Sequence, residues 1–218
     1  MFKENYFIKS KVILITISFA ILAFVLRIID LDVRPMHHDE SLHALYAWMF
    51  MKDMIYVHDP MTHGPFQFHI IALAYRLFGD SDFITRLPSA IFGTFLVFTP
   101  LLFRKWLGNY GVILASLFFV LSPSLLYYSR FARNDLFIAL WTVLIICSVL
   151  RYREKRNIAW LLVLSISLSL SFTTKETTFL TAAIILLYLS FLLSYRLLLA
   201  HSDDYLFSPL RVICALVI

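Results

Sequence analysis

The sequence predicts an all-α, polytopic membrane bundle, and three observations carry that prediction. Of 218 residues, 61% are hydrophobic and only 15% charged, with a mean hydropathy of +0.81, against about 25% charged in an ordinary soluble domain. The apolar residues gather into successive runs of roughly membrane-crossing length. Lys and Arg punctuate the ends of those runs as cytoplasmic loops of a membrane protein do. A net charge of +5 distributed in this way makes no basic face for nucleic acid. Cys147 and Cys214 both lie inside apolar runs and imply no disulfide framework.

The first run covers residues 12–29 and follows Lys3, Lys9 and Lys11. Such a start resembles a secretion signal, but the bulky stretch Phe24-Val25-Leu26-Arg27 offers no small-residue cleavage site. It reads as a retained anchor, with the lysines holding the N-terminus in the cytoplasm. Residues 30–83 then form an outer loop. Within it Leu42, Leu45, Tyr46, Met49 and Phe50 recur at helical spacing, with His43 and Lys52 off the stripe, which predicts an interfacial helix lying on the membrane surface. Pro65 opens a second short helix reaching Phe78, with His69 and Arg76 two turns apart on one side. At roughly 21 Å it is too short to span. Gly79-Asp80-Ser81-Asp82 closes it with turn chemistry.

Further spans are predicted over 84–103, 112–128, 136–150, 158–172 and 178–199, with a partial one over 210–218. Arg104 and Lys105 mark one cytoplasmic return, and Arg151-Tyr152-Arg153-Glu154-Lys155-Arg156 marks the clearest one. The runs 136–150 and 158–172 measure about 22 Å against about 30 Å of hydrocarbon, so either their ends borrow polar residues or they sit behind other helices. Because the last residues stop inside an apolar stretch, the chain reads as the N-terminal part of a longer transmembrane domain.

Counting crossings from the lysines places Asp39 and Glu40, then Arg130, Arg133 and Asp135, then Lys175 and Glu176 on the extracytoplasmic side. Three loops that bring charges to one face predict a site there. Asp39 and Glu40 can cap the interfacial helix, but one acid suffices for that. As a pair, one can act as general base while the other orients the acceptor or a cation. Arg130, Arg133 and Lys175 can snorkel at span ends. As a set they form phosphate clamps, the guanidinium a planar fork and the ammonium a point charge. Asp135 at a span start needs a partner or a wet cavity, and Glu176 can neutralise Lys175. Six of seven histidines, His37, His38, His43, His58, His63 and His69, lie in the first outer loop. His37, His38 and His63 are read as hydrogen-bonding groups for sugar or phosphate oxygens. A divalent cation on His38, Asp39 and Asp135 is the competing expectation. Tyr127 and Tyr128 read as part of an interfacial aromatic belt.

The chain resembles the GT-C superfamily of polytopic glycosyltransferases, near the dolichyl-phosphate-mannose–protein mannosyltransferases and the bacterial lipid A aminoarabinose transferases. The pieces that match are Asp39-Glu40 after the first span, His63-Gly64-Pro65-Phe66, and Leu77-Phe78-Gly79-Asp80-Ser81-Asp82-Phe83. Arg86-Leu87-Pro88-Ser89-Ala90, Ser129-Arg130-Phe131-Ala132-Arg133-Asn134-Asp135 and Thr174-Lys175-Glu176 follow in order. Met36-His37-His38-Asp39-Glu40 is similar to an archaeal and bacterial subgroup labelled flippase-activity-associated. The resemblance implies a GT-C-type bundle that moves a sugar from a polyprenyl-phosphate donor to a protein or lipid acceptor outside the cytoplasmic membrane. It places the family's first acid at Asp39, beside Glu40, and its second-loop acid at Asp135. A phosphate leaving group needs cations to hold it, not a proton donor, so the expected reaction is an inverting displacement with Asp39 the first choice of base and Glu40 the second. The rival is a flippase, or a flippase-associated protein that handles lipid-linked sugar without transfer. It would place charges near mid-span and show repeat symmetry.

Overall fold

The computed structural model of the chain describes residues 2–53 and 63–200, with side chains over 10–53 and 63–198. His58 and the partial run 210–218 lie outside the described residues. Among those described there are helices and no strand: α1 (Phe2–Ile28), α2 (His38–Asp53), α3 (Phe66–Phe78), α4 (Asp82–Leu96), α5 (Thr99–Leu102), α6 (Arg104–Leu121), α7 (Pro123–Ser129), α8 (Asp135–Lys155), α9 (Ile158–Phe172) and α10 (Thr178–Ala200). The architecture is an all-α, polytopic helical bundle. Ser10–Ile28, Asp82–Leu102, Asp135–Lys155 and Thr178–Leu198 are each long and apolar enough to cross a membrane. The chain divides into two compact units, residues 1–176 and 177–218. The second contributes α10, an apolar helix with most of its large side chains exposed.

Local chemistry explains where elements start and stop. The sequence predicts one span over 112–128, but α6 and α7 meet at a 57° bend. Pro123 has no N–H to continue the ladder, and the Ser122 hydroxyl accepts from the N–H of Leu125 to start α7 afresh. The run 136–150 extends to Lys155, because Arg151 to Lys155 carry the helix on until Arg156 turns left-handed at φ 47°. The helix of the run 158–172, α9, stays at 15 residues and packs along α8.

Helix α2 is amphipathic in an inverted sense. Its apolar stripe, including Leu45, Tyr46, Trp48 and Met49, faces outward, while Glu40, His43 and Ala47 at spacings of three and four are buried in the protein. Small residues let the spans approach closely: Ala20 and Ala23 of α1 pack with Val97 and Val120. Arg27, wholly buried near the end of α1, donates to Ser129 Oγ at 2.9 Å, to Ala23 O at 3.0 Å and to Phe119 O at 3.1 Å. Gly93 makes room for this, since a Cβ there would lie 2.2 Å from Ser129 Oγ and 3.1 Å from Arg27 Nε.

The polar groups of the first unit gather at two ends. At one, Lys105 bonds Glu154 at 2.6 Å and Arg151 donates to the Leu102 carbonyl at 2.5 Å. At the other, residues 30–41, 63–66, 130–135 and 173–176 come together.

Candidate functional site

The second end is built around Glu40. Its carboxylate is fully buried and accepts five hydrogen bonds. Arg86, also fully buried, donates Nε to Oε1 at 2.8 Å and Nη2 to Oε2 at 3.0 Å, a bidentate fork. Arg34 Nη2 adds a bond at 2.9 Å, and the N–H groups of His37 and Ala132 add bonds at 3.1 and 3.0 Å. Burial pushes the carboxyl upward, but the bonds from Arg86, Ala132 and His37 and the Arg86 charge outweigh it and hold Glu40 below its ordinary range. Arg86 spends its other donors on the carbonyls of Leu31, Arg34 and Pro35. One ion pair therefore ties the loop after α1, the start of α2, the start of α4 and the loop before α8 into one body.

Beside this tight pair lies a looser one. Arg133 Nη1 stands 3.4 Å from Asp39 Oδ2, and Arg133 Nε stands 3.9 Å from Asp135 Oδ2. Lys175 Nζ donates to Asp135 Oδ1 at 3.0 Å. Asp39, Arg133 and Asp135 each keep about a third of the side chain exposed, at 35%, 36% and 32%, so this row of alternating charges is reachable from outside. Asp39 and Asp135, two of the three carboxylates predicted to act, thus share one guanidinium.

Lys175 is placed by a strap. The N–H groups of Gly64 and Phe66 donate to the carbonyls of Thr174 and Thr173, and a Cβ on Gly64 would lie 2.2 Å from the Thr173 oxygen, so only glycine permits the approach. His63, left-handed at φ 67°, bonds Glu176 Oε2 through Nδ1 at 2.9 Å. Burial pushes the Glu176 carboxyl up, but its own backbone N–H, His63 and Lys175 together outweigh it and hold the carboxyl below its usual range.

The other predicted residues separate. His37 Nδ1 accepts from the Asp39 N–H at 3.2 Å and lies 3.9 Å from its carboxylate. His38 is exposed at the first position of α2. Arg130 is not brought to the cluster: it donates to the carbonyls of Leu26 and Asp30, capping the C-terminal end of α1. Among the described residues no three His, Cys, Asp or Glu side chains converge to hold a metal ion. Arg133 supplies the positive charge between Asp39 and Asp135.

Sequence reasoning did not assign Arg86 to the site, although a lone arginine one turn inside an apolar run signals a buried partner. It also left out His43, which is buried and packs tilted against Phe68 with ring centroids 5.1 Å apart. Burial, with the charges of His63 and Arg133, outweighs Asp39 and Asp135 and lowers the His43 pKa to about 4. The unfolded chain therefore takes up this proton below about pH 6.5, and the folded one only near 4. Stability should fall by about 3 kcal/mol as pH drops through that window. In detergent, His43→Phe should lose less unfolding temperature between pH 7 and 4.5 than the parent protein, and an equal loss would deny His43 this role.

The fold and the site together define a helical membrane protein with a partly open row of paired carboxylates and cations at one end of its bundle. The comparison with known families is specific: residues 62–218, more than half of the chain, match the dolichyl-phosphate-mannose-protein mannosyltransferase family, and the chain belongs to it. It is a membrane glycosyltransferase of a family that uses polyprenyl-phosphate-linked sugar. The matched stretch contains His63, Arg133, Asp135, Lys175 and Glu176 and begins after Asp39 and Glu40. No curated protein and no solved structure matches the chain.

Proposed function

We propose that the protein moves a hexose or pentose from a polyprenyl phosphate to a hydroxyl of a protein or lipid acceptor, with inversion, at the outer face of the cytoplasmic membrane. The reading includes a cytoplasmic N-terminus, from the lysines ahead of α1. The observation that carries it is the sharing of Arg133 by Asp39 and Asp135, with Lys175 on the far side of Asp135. Contacts of 3.4 and 3.9 Å are loose beside the 2.8 Å of the Glu40–Arg86 pair. An incoming phosphate can therefore draw Arg133 and Lys175 to itself and leave Asp39 free as a base.

In the reaction the acceptor oxygen bonds the anomeric carbon as its proton passes to Asp39. The bond from that carbon to the phosphate oxygen breaks, and its electron pair leaves on the polyprenyl phosphate, held by Arg133 and Lys175. Asp135 positions those two cations. Glu40, buried with both oxygens occupied, has no lone pair to offer an acceptor, so its place in the reading moves from second base to the group that fixes the loops. Arg130 likewise moves from phosphate clamp to helix cap.

The test is transfer by protein reconstituted in lipid, given a polyprenyl-phosphate sugar of known anomeric configuration and a hydroxyl acceptor. A product of inverted configuration is expected. A retained configuration, or movement of the donor across the bilayer with no product, would overturn the reading.

A further inference from the structure

Three buried polar side chains next to the charge row lack bonds that buried groups ordinarily have. His43, Gln67 and Asn134 are 6%, 0% and 1% exposed. His43 Nδ1, both amide atoms of Gln67 and both amide atoms of Asn134 have no hydrogen-bond partner among the described residues. A carboxamide offers two donors and two lone pairs, so two such groups and an imidazole leave a large unmet capacity.

The three share one junction. Ala47 of α2, Ile71 of α3 and Ala132 of the loop before α8 form a single apolar cluster. His43 stands one helical turn from Ala47, Gln67 one turn from Ile71, and Asn134 two residues from Ala132. Gln67 is bracketed by neighbours that fix its surroundings: Phe68 packs tilted against His43 at 5.1 Å, and Phe66 packs at 5.3 Å on Phe137 in the first turn of α8. The charge row adjoins His43 and Asn134. Asp39 precedes His43 by one turn, Arg133 and Asp135 flank Asn134, and the charges of Asp39, Asp135 and Arg133 all reach His43.

We infer that His43, Gln67 and Asn134 form a neutral hydrogen-bonding floor beneath the charge row, and that it reads the hydroxyls of the transferred sugar. The inference rests on the sugar-transfer reading above and adds the residues that set sugar specificity. Its chemistry fits a neutral polyol: paired donors and acceptors match hydroxyl groups, whereas a phosphate is served by Arg133 and Lys175. A site built to bond a hydroxyl discriminates strongly against an analogue without it, because its own buried groups are then left unpaired.

The experiment compares binding of two probes to the full chain in nanodiscs, a polyprenyl-phosphate hexose and the sugar-free polyprenyl phosphate, together with monodeoxy forms of the first. The parent protein should bind the hexose-bearing probe at least about tenfold more tightly than a deoxy form. Gln67→Met and Asn134→Leu should each erase most of that preference, leaving affinity for the sugar-free phosphate and the unfolding temperature unchanged or raised. Equal binding of hydroxylated and deoxy probes by the parent protein needs no variant to read and would overturn the floor. So would variants that lose unfolding temperature with the preference intact, since the side chains would then be holding water. A parent protein that prefers the hexose probe yet never transfers it supports the floor and removes the transfer reading alone.

Discussion

Replacing Asp39 by Asn is expected to lower kcat about 10²- to 10⁴-fold, the usual worth of a positioned general base, with little change in the KM for the lipid-linked donor. Asn preserves the shape of the side chain and its place in the first turn of α2, and removes the carboxylate proposed to take the acceptor's proton. Asp135→Asn should separate from it. Asp135 contacts Lys175 and Arg133 and is proposed to act through them, so losing its charge should raise the donor KM more than it lowers kcat. Initial rates over a range of donor concentrations, in reconstituted protein, read both. Transfer by Asp39→Asn at the parent rate would remove Asp39 as the base.

The second large effect lies in the fold beneath the site. Glu40→Gln keeps the volume but leaves the Arg86 guanidinium buried without its counter-charge, and breaking a buried pair from one side costs about 3–5 kcal/mol. The unfolding temperature of the detergent-solubilised protein should fall sharply, and activity should go with it because Asp39, Ala132 and Pro35 lose a common anchor. Joint replacement, Glu40→Leu with Arg86→Met, should recover much of the stability, since apolar groups of similar volume can stand in for a buried pair. A single Glu40→Gln variant as stable as the parent would contradict the anchoring role.

Much of this was readable from residue order. The apolar runs announced the helices Ser10–Ile28, Asp82–Leu102, Asp135–Lys155 and Thr178–Leu198, and the charged stretches at 39–40, 130–135 and 175–176 announced a polar site to which the structure brings Asp39, Arg133, Asp135 and Lys175. Which of two adjacent acids stays open to the outside was not readable. Asp39 and Glu40 differ by one helical step of about 100°, and only the position of Arg86, 46 residues later, decides that Glu40 turns inward. Arg130 and Arg133 could not be told apart for a related reason: they look alike in sequence, but one meets the free carbonyls ending α1 and the other meets two carboxylates. His43 was hidden because helical periodicity reports apolar residues, and on α2 the protein-facing stripe is polar. The bend at Ser122 was signalled by Pro123 and masked by the unbroken apolar content around it.

The wiring of Glu40 constrains how the protein is made. Three of its five hydrogen bonds come from Arg86 and the backbone of Ala132, 46 and 92 residues downstream, so until those segments have left the ribosome a nascent chain offers this carboxylate only Arg34 and the His37 N–H. During that interval water must solvate it. Insertion therefore has to keep the start of α2 hydrated while α4 enters the bilayer, and the last loop to arrive locks a pocket whose acid was synthesised first.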